Sequence, residues 1–252
     1  MSCQAHALET TQEHHWSLGA GVGFYRIPDY SGAEHVNQVL SPIPYFQYRG
    51  PRLIIANGRL SSPLFDSERL IIDISADGTP PVKSNNNTAR SGMPDLDPVV
   101  EVGPALEYHL WENKGNQLFL DIPLRYGLST DLQRISGIGW ISNPRLKYHL
   151  NHGLWRLRVG VGPIYANKMH NDYYYGVEKA LSTSTRATFK GQEGYSGFLY
   201  SLGMQKRQVS IKYDAYFRLI DLQGSKRETS PLVDRKKSLL AGVAITWIFR
   251  EK

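Results

Sequence analysis

Read two residues at a time, Val99 to Ser129 separates into two faces. Val100, Val102, Pro104, Leu106, Tyr108 and Leu110 fall on one side, and Glu101, Gly103, Ala105, Glu107 and His109 on the other. After the polar stretch Glu112-Asn113-Lys114-Gly115-Asn116 the alternation resumes. Leu118, Leu120, Ile122, Leu124, Tyr126 and Leu128 then oppose Gln117, Asp121, Pro123, Arg125 and Gly127. Successive side chains on a strand point to opposite faces, so this stretch reads as a hairpin with one apolar and one polar side. Each arm has about the ten residues that a tilted membrane-spanning strand needs. The polar side carries full charges and glycines, which the core of a soluble sandwich would not accept. The apolar side therefore reads as the lipid face of an outer-membrane barrel.

The same period recurs along the chain. It predicts strands over Trp16–Tyr25, Pro42–Arg49, Arg69–Asp77, Gly139–Leu150, Leu154–Ala166, Gly194–Gln205, Gln208–Ile220 and Ser238–Phe249. Arg52 to Phe65 is less regular. Leu53-Ile54-Ile55 is strand-like, and Asn57-Gly58 is a two-residue hairpin signal before a short strand, Arg59–Phe65. Long polar loops are expected at 26–41, 78–98, 129–137, 167–193 and 221–237, and short turns near 50, 67, 113, 152 and 206. Bacterial barrels have even strand numbers, short periplasmic turns and long surface loops. Those rules are met if Arg52–Phe65 is two strands. The expected fold is all-β, a transmembrane antiparallel up-and-down β-barrel of about twelve strands, with about ten as the alternative. Its span is 16–249, preceded by an N-terminal segment at 1–15.

Aromatic residues agree with that orientation. Trp16, Tyr108, Tyr148, Trp155, Trp247 and Phe249 fall at periplasmic strand ends, and Phe24, Tyr126, Trp140, Tyr165 and Phe217 at external ends. Two girdles at the headgroup level result. The last strand closes on Phe249, similar to the C-terminal signal read by the barrel assembly machinery, with Arg250-Glu251-Lys252 beyond it.

Composition changes the picture little. The chain has 252 residues, 15 tyrosines, 23 glycines and a net charge of +6. Its mean hydropathy is −0.38, and no run approaches a membrane helix. The basic residues are scattered and form no nucleic-acid motif, so they point to anionic outer-membrane lipid and lipopolysaccharide rather than nucleic acid. Cys3 is the only cysteine, which excludes internal disulfides. Gln4-Ala5-His6-Ala7 has the small-x-small form of a signal-peptidase site, so the mature protein is expected to start near Leu8.

Candidate chemistry lies in the predicted lumen. Arg69, Arg125, Arg145, Lys147, Arg156, Arg158, Lys212 and Arg218 should point inward, with Asp73, Glu101, Glu107, Asp121 and Asp214. Unpaired arginines would make an anion-guiding pore. Near balance of signs favours instead a lumen filled by paired Arg–carboxylate bonds. His109 and His149 face the same lumen, and neither has a serine placed to complete a lipid-facing triad, so no catalytic residue is assigned. His14-His15 lacks a Cys or acidic cluster to complete a metal site. No cofactor motif is present. Tyr173, Tyr174 and Tyr175, beside a long external loop, read first as an extension of the girdle or as loop packing, and second as a candidate recognition surface.

Several motifs together resemble the MipA/OmpV family of outer-membrane proteins. They are Gly21-Val22-Gly23 with Pro28, Tyr30 and Gly32; Pro42-Ile43-Pro44-Tyr45; Gly92-Met93 with Asp95-Leu96-Asp97; and Tyr173-Tyr174-Tyr175-Gly176-Val177. At the end they are Leu232-Val233-Asp234, Ser238 and the strand Gly242 to Phe249. The resemblance implies a monomeric barrel without enzymatic activity. In one branch of the family it implies a scaffold joining a lytic murein transglycosylase to a bifunctional penicillin-binding murein synthase. A partner would have to bind from the periplasm, at the N-terminal segment or at turns near Arg49–Arg52, Asn113–Asn116, Asn151–Gly153 and Lys206–Arg207. The expected role is a structural or scaffolding envelope protein. Alternatives are a narrow passive channel for small anions and an adhesin acting through the external loops.

Overall fold

The computed structural model describes residues 15–50, 54–56, 59–61, 65–67 and 69–251. The expected signal-peptidase site, His14, Leu53 and the Asn57-Gly58 turn lie outside the described residues. The strands are β1 (His15–Pro28), β2 (Val36–Arg49), β3 (Ile54–Ala56), β4 (Arg59–Ser61), β5 (Phe65–Asp66), β6 (Leu70–Thr79), β7 (Val99–Asn113) and β8 (Asn116–Thr130). They continue as β9 (Ile135–Ser142), β10 (Arg145–His152), β11 (Trp155–Ala166), β12 (Gly194–Gln208), β13 (Ile211–Asp221) and β14 (Lys237–Glu251). One α-helix, α1 (Lys168–Tyr175), follows β11.

All strands join one antiparallel sheet in which sequence neighbours are spatial neighbours, and β14 pairs with β1. That pairing, with β4 lying beside β6, brings the sheet round on itself as an up-and-down β-barrel. β9 and β10 are two halves of one strand, which makes ten long strands among the described residues. The β3–β4 hairpin, paired Ala56↔Arg59, and the fragment β5 supply short pieces between β2 and β6. Among the described residues β2 pairs with β3 only at Tyr48 and Arg49, and β6 with β5 only at Ile71 and Ile72. The outer parts of these two strands thus face each other across a seam without a ladder. Pro42 and Pro44, which have no N–H to donate, sit on that edge of β2.

The outward face is apolar. Val243 is 53 % exposed and Trp247 61 %, as lipid contact requires. The girdle positions Tyr108, Trp140, Trp155, Tyr165 and Phe249 are also exposed, whereas Trp16 and Tyr148 are half-buried. Trp111 stacks on Tyr148 at 6.5 Å. The alternation predicted for β7 slips once, at a bulge between His109 and Trp111 that leaves Leu110 and Trp111 both outward.

Turn chemistry refines the expected boundaries. The central hairpin closes more tightly than the polar run 112–116 suggested: Lys114 (φ 48°) and Gly115 (φ 77°) form a two-residue turn of the mirror-image type that suits strand twist. The turn expected at Lys206–Arg207 lies further on, at Val209-Ser210, because Arg207 still pairs with Lys212. The strand expected over 139–150 starts earlier, at Ile135, and is interrupted at Asn143-Pro144. There Asn143 donates through Nδ2 to Pro163 O (2.7 Å). A Cβ at Gly162 would stand 1.9 Å from the Pro144 carbonyl oxygen, so only glycine permits this approach.

Candidate functional site

The long loops do not spread outward from the barrel. Residues 29–35, 80–98, 167–193 and 222–236 fold over its end and share one hydrophobic core. Tyr30, Val82, Leu96, Tyr174, Tyr175, Val177 and Leu232 are buried in it, and Leu232 is 0 % exposed. Tyr30 and Tyr175 meet edge to face with ring centres 5.8 Å apart. Each aromatic also carries a polar tip that needs an acceptor when buried. Tyr30 donates to Leu232 O (2.8 Å), Tyr175 to Ser31 O (2.7 Å) and Tyr173 to Asp97 O (3.1 Å). Burial pushes the Tyr30, Tyr174 and Tyr175 phenols well above the ordinary value, so all three stay neutral.

Two buried arginines tie loop to loop through backbone carbonyls. Arg90 Nη1 donates to Tyr174 O (3.3 Å), and Arg186 Nη1 donates to Ala89 O and Ser91 O (2.9 Å each). Burial lowers the Arg90 pKa, offset by the surrounding phenols and Asp29. Near the end of loop 80–98, Asp95 reaches back to its start, accepting from Lys83 Nζ (2.8 Å) and Ser84 N (2.8 Å), and is held below the usual carboxylate range by these bonds.

α1 enters the top of the lumen. Asn167 caps it, accepting from His170 N (3.0 Å), and the same oxygen accepts from Trp140 N (3.1 Å) on β9. His170 then meets Glu101 Oε1 at 3.1 Å through Nε2 and Arg227 Nη2 at 3.4 Å through Nδ1. With Nε2 protonated, a neutral imidazole satisfies both contacts. Burial holds the His170 pKa down, opposed by the Glu101 hydrogen bond. Glu101 also accepts from Arg125 Nε (3.3 Å), and Arg125 reaches Ser75 Oγ (3.3 Å) and Asp77 (3.6 Å). Arg227 donates to Asn171 Oδ1 (2.7 Å) and lies over the Tyr175 ring. A continuous polar chain thus runs from the barrel wall into the cap.

Beneath the cap is a cavity of about 190 Å³. It is lined by Arg125, Arg145, Arg218 and Arg227, by Asp29, Asp77 and Glu101, and by the cap tyrosines. Deeper in the lumen Asp121 pairs with Arg145 (2.8 Å) and Lys147 (2.5 Å). Lys212 pairs with Asp214 (3.1 Å) and lies over the Tyr45 ring, and Arg158 donates to Gln205 (3.4 Å). At the short-turn end Glu107 meets His109 (3.0 Å), and Phe119 packs between His109 and His149. Asp73 is buried.

Three expectations change. Arg69 lies just before β6, exposed, and Arg156 is exposed near the β10–β11 turn. Neither joins an ion pair among the described residues, because both stand at the rim where water replaces a partner. Tyr173, Tyr174 and Tyr175 are on α1, and the last two are buried in the cap core, so they do not offer an outward recognition surface. His170, Arg90, Arg186 and Arg227 were not singled out from the sequence, because nothing periodic marks a buried loop residue. The cavity's aliphatic wall did leave a signal: alternation fails near the outer strand ends, as at Leu219-Ile220 and Leu239-Leu240.

A closed-up sheet, lipid-facing apolar positions and a charged, capped lumen define an outer-membrane β-barrel. The chain belongs to the family described as MltA-interacting protein MipA, whose model matches residues 20–249. It is 23 % identical to a protein of Escherichia coli (strain K12) named as the outer membrane protein YiaT, over 92 % of this chain and 90 % of that one. Solved barrels resemble it more loosely. The CymD monoaromatic hydrocarbon channel has a TM-score of 0.41 at 11 % identity, covering 95 % of this chain and 90 % of that one. The outer membrane phospholipase A of Escherichia coli has a TM-score of 0.36 at 12 % identity, covering 97 % and 94 %. The activities of those two proteins are their own.

Proposed function

We propose that this outer-membrane protein is a capped, non-catalytic barrel that serves the envelope as a structural scaffold. The observation that carries this reading is the cap. Four loops spend their apolar residues on a shared core across the external end, as a soluble domain does, which opposes free passage through the lumen. Paired charges along the lumen support the same conclusion. The lumen charges Arg69, Asp73, Glu101, Glu107, Asp121, Arg125, Arg145, Arg156, Arg158, Lys212, Asp214 and Arg218 then act mainly in strand-to-strand adhesion and rim solvation. The barrel occupies 16–249.

The partner implied by the family description is a murein transglycosylase, reached from the periplasm. The turn tips there supply a small patch of mixed character. Val209 is 91 % exposed and Leu154 is exposed beside it, with Arg207 N donating to Leu154 O (3.3 Å) and Lys206 over Trp155. Apolar tips flanked by basic residues suit a weak, reversible contact better than a permanent one.

The test uses the full chain, refolded into lipid. In a planar bilayer the scaffold reading expects no steady conductance. On immobilised protein it expects retention of a lytic murein transglycosylase that is lost in Leu154→Asp/Val209→Asp. Steady anion-selective current, or equal retention by the double variant, would overturn it.

A further inference from the structure

The cavity under the cap is built with two different walls, and the sheet order shows it. Ile141, Ile164, Leu199, Ile220 and Leu240 line it from β9, β11, β12, β13 and β14, which follow one another round the barrel. They make a continuous aliphatic arc at lumen-facing positions, where a water-filled pore would carry polar groups. The opposite arc is Asp77, Glu101 and Arg125 from β6, β7 and β8. Those three satisfy one another, with Arg125 at 3.3 Å from Glu101 and 3.6 Å from Asp77.

Arg218 is different. It stands on the aliphatic side, with Leu240 as its register partner and Ile220 two residues along its strand. Its one hydrogen bond among the described residues is from Nε to Tyr216 Oη (2.8 Å). Among the described residues its two Nη groups have no acceptor, and no carboxylate lies within ion-pair distance. A guanidinium desolvated among leucine and isoleucine, with its fork unused, is an unfilled binding site for a planar anion. Arg227 in the roof also lacks a carboxylate partner among the described residues, and the lining sets four arginines against three carboxylates.

The geometry points to a binding site for a small organic monocarboxylate with an apolar body, its carboxylate on Arg218 and its hydrocarbon against the aliphatic arc. Size agrees. The cavity is about 190 Å³, and an aliphatic cavity of about 150 Å³ takes up benzene, so a six-membered ring bearing one carboxylate fits. Access agrees as well. β2 contributes no lining residue, while Asp77, Gly78 and Thr79 at the unpaired edge of β6 do, so the cavity abuts the seam between β2 and β6. An amphiphile would enter through that edge of the wall. The inference does not depend on a murein partner.

The experiment is titration calorimetry on the full chain in lipid nanodiscs. Benzoate is the probe, with benzyl alcohol (same ring, no charge) and inorganic phosphate (charge, no ring) as comparators. Expected is saturable one-to-one benzoate binding, weakened at least about tenfold in Arg218→Gln, the scale of a lost charge-assisted pair. Leu199→Trp, which fills the aliphatic side and keeps every charge, should abolish binding. Heat-modifiable gel mobility reports folding of each variant, and if Arg218→Gln does not fold, Leu199→Trp decides. Absence of saturable benzoate binding, equal affinity for either comparator, or unchanged affinity in a folded variant would overturn the assignment.

Discussion

The strand wall and the loop cap use apolar residues in opposite ways. On the wall, Val243 and Trp247 point outward and are more than half exposed in the isolated chain. In the cap, Leu222 and Leu232 are completely buried. The wall meets hydrocarbon, in which an outward valine is already at home. The cap meets water and must hide its leucines to gain the same free energy. One chain thus folds against two solvents, and the membrane boundary is the line where the rule for an apolar side chain reverses. Polar groups reverse with it. The lumen keeps Arg125, Glu101 and Asp121 paired inside the wall, while the cap's own exposed charges, such as Lys83 and Asp95, lie at its surface.

The contrast can be broken most severely from the cap side. Leu232→Asp places a carboxylate in an apolar core and should destabilise the closed cap by about 5 kcal/mol. Trypsin should then cut after Arg186, which is buried in the intact cap, while heat-modifiable mobility of the barrel persists. Loss of that mobility instead would mean that cap and wall fold as one unit. Next in size is Arg125→Gln, which leaves Glu101 buried without its guanidinium partner. It should cost about 4 kcal/mol, read from urea unfolding in phospholipid vesicles.

Val243→Arg tests the wall. A charge at mid-strand on the lipid face should cost about 3 kcal/mol in vesicles, and much less in a detergent that lets water reach the strand. Acidification is a gentler probe. Burial holds His170 below the ordinary imidazole value of 6.5 in the closed cap, and opening hydrates it and restores that value. Opening therefore takes up a proton below that value, so the closed cap weakens as pH falls, by at most about 1.4 kcal/mol per pH unit, until the closed-state value is passed. Above it this group adds no pH dependence. Hydrogen exchange of loop amides between pH 7.5 and pH 5, values on either side of about 6.5, checks the sign, and His170→Gln should flatten the profile. The smallest effect is Tyr30→Phe, which removes the bond to Leu232 O and should speed the same exchange by the equivalent of about 1 kcal/mol.

Much of the wall was legible from residue pattern alone. The lipid face of β14, the polarity of Glu101, Asp121 and Arg125, and the Gly115 turn all follow from period two and local turn chemistry. The pattern was less faithful where geometry broke it. The β7 bulge shifted Trp111, Pro144 split a strand, and the tyrosines of α1, read as girdle or loop packing ahead of a recognition surface, pack into a core of the loops. The cap was illegible for a plain reason: its contacts are not periodic. Tyr30 bonds to Leu232 across 202 positions, and Arg90 to Tyr174 across 84.

By itself the sequence determined the all-β class, the transmembrane barrel and the faces of most strands. Alternation is imposed by the stereochemistry of an extended backbone, and each residue declares its side locally. Only the tertiary structure decided that the loops close over the lumen, that Glu101, His170 and Arg227 meet, and that Arg218 is left with an open fork above an aliphatic wall. Those facts depend on which strand ends lie next to one another when the sheet curls round. No local preference of the chain carries that information.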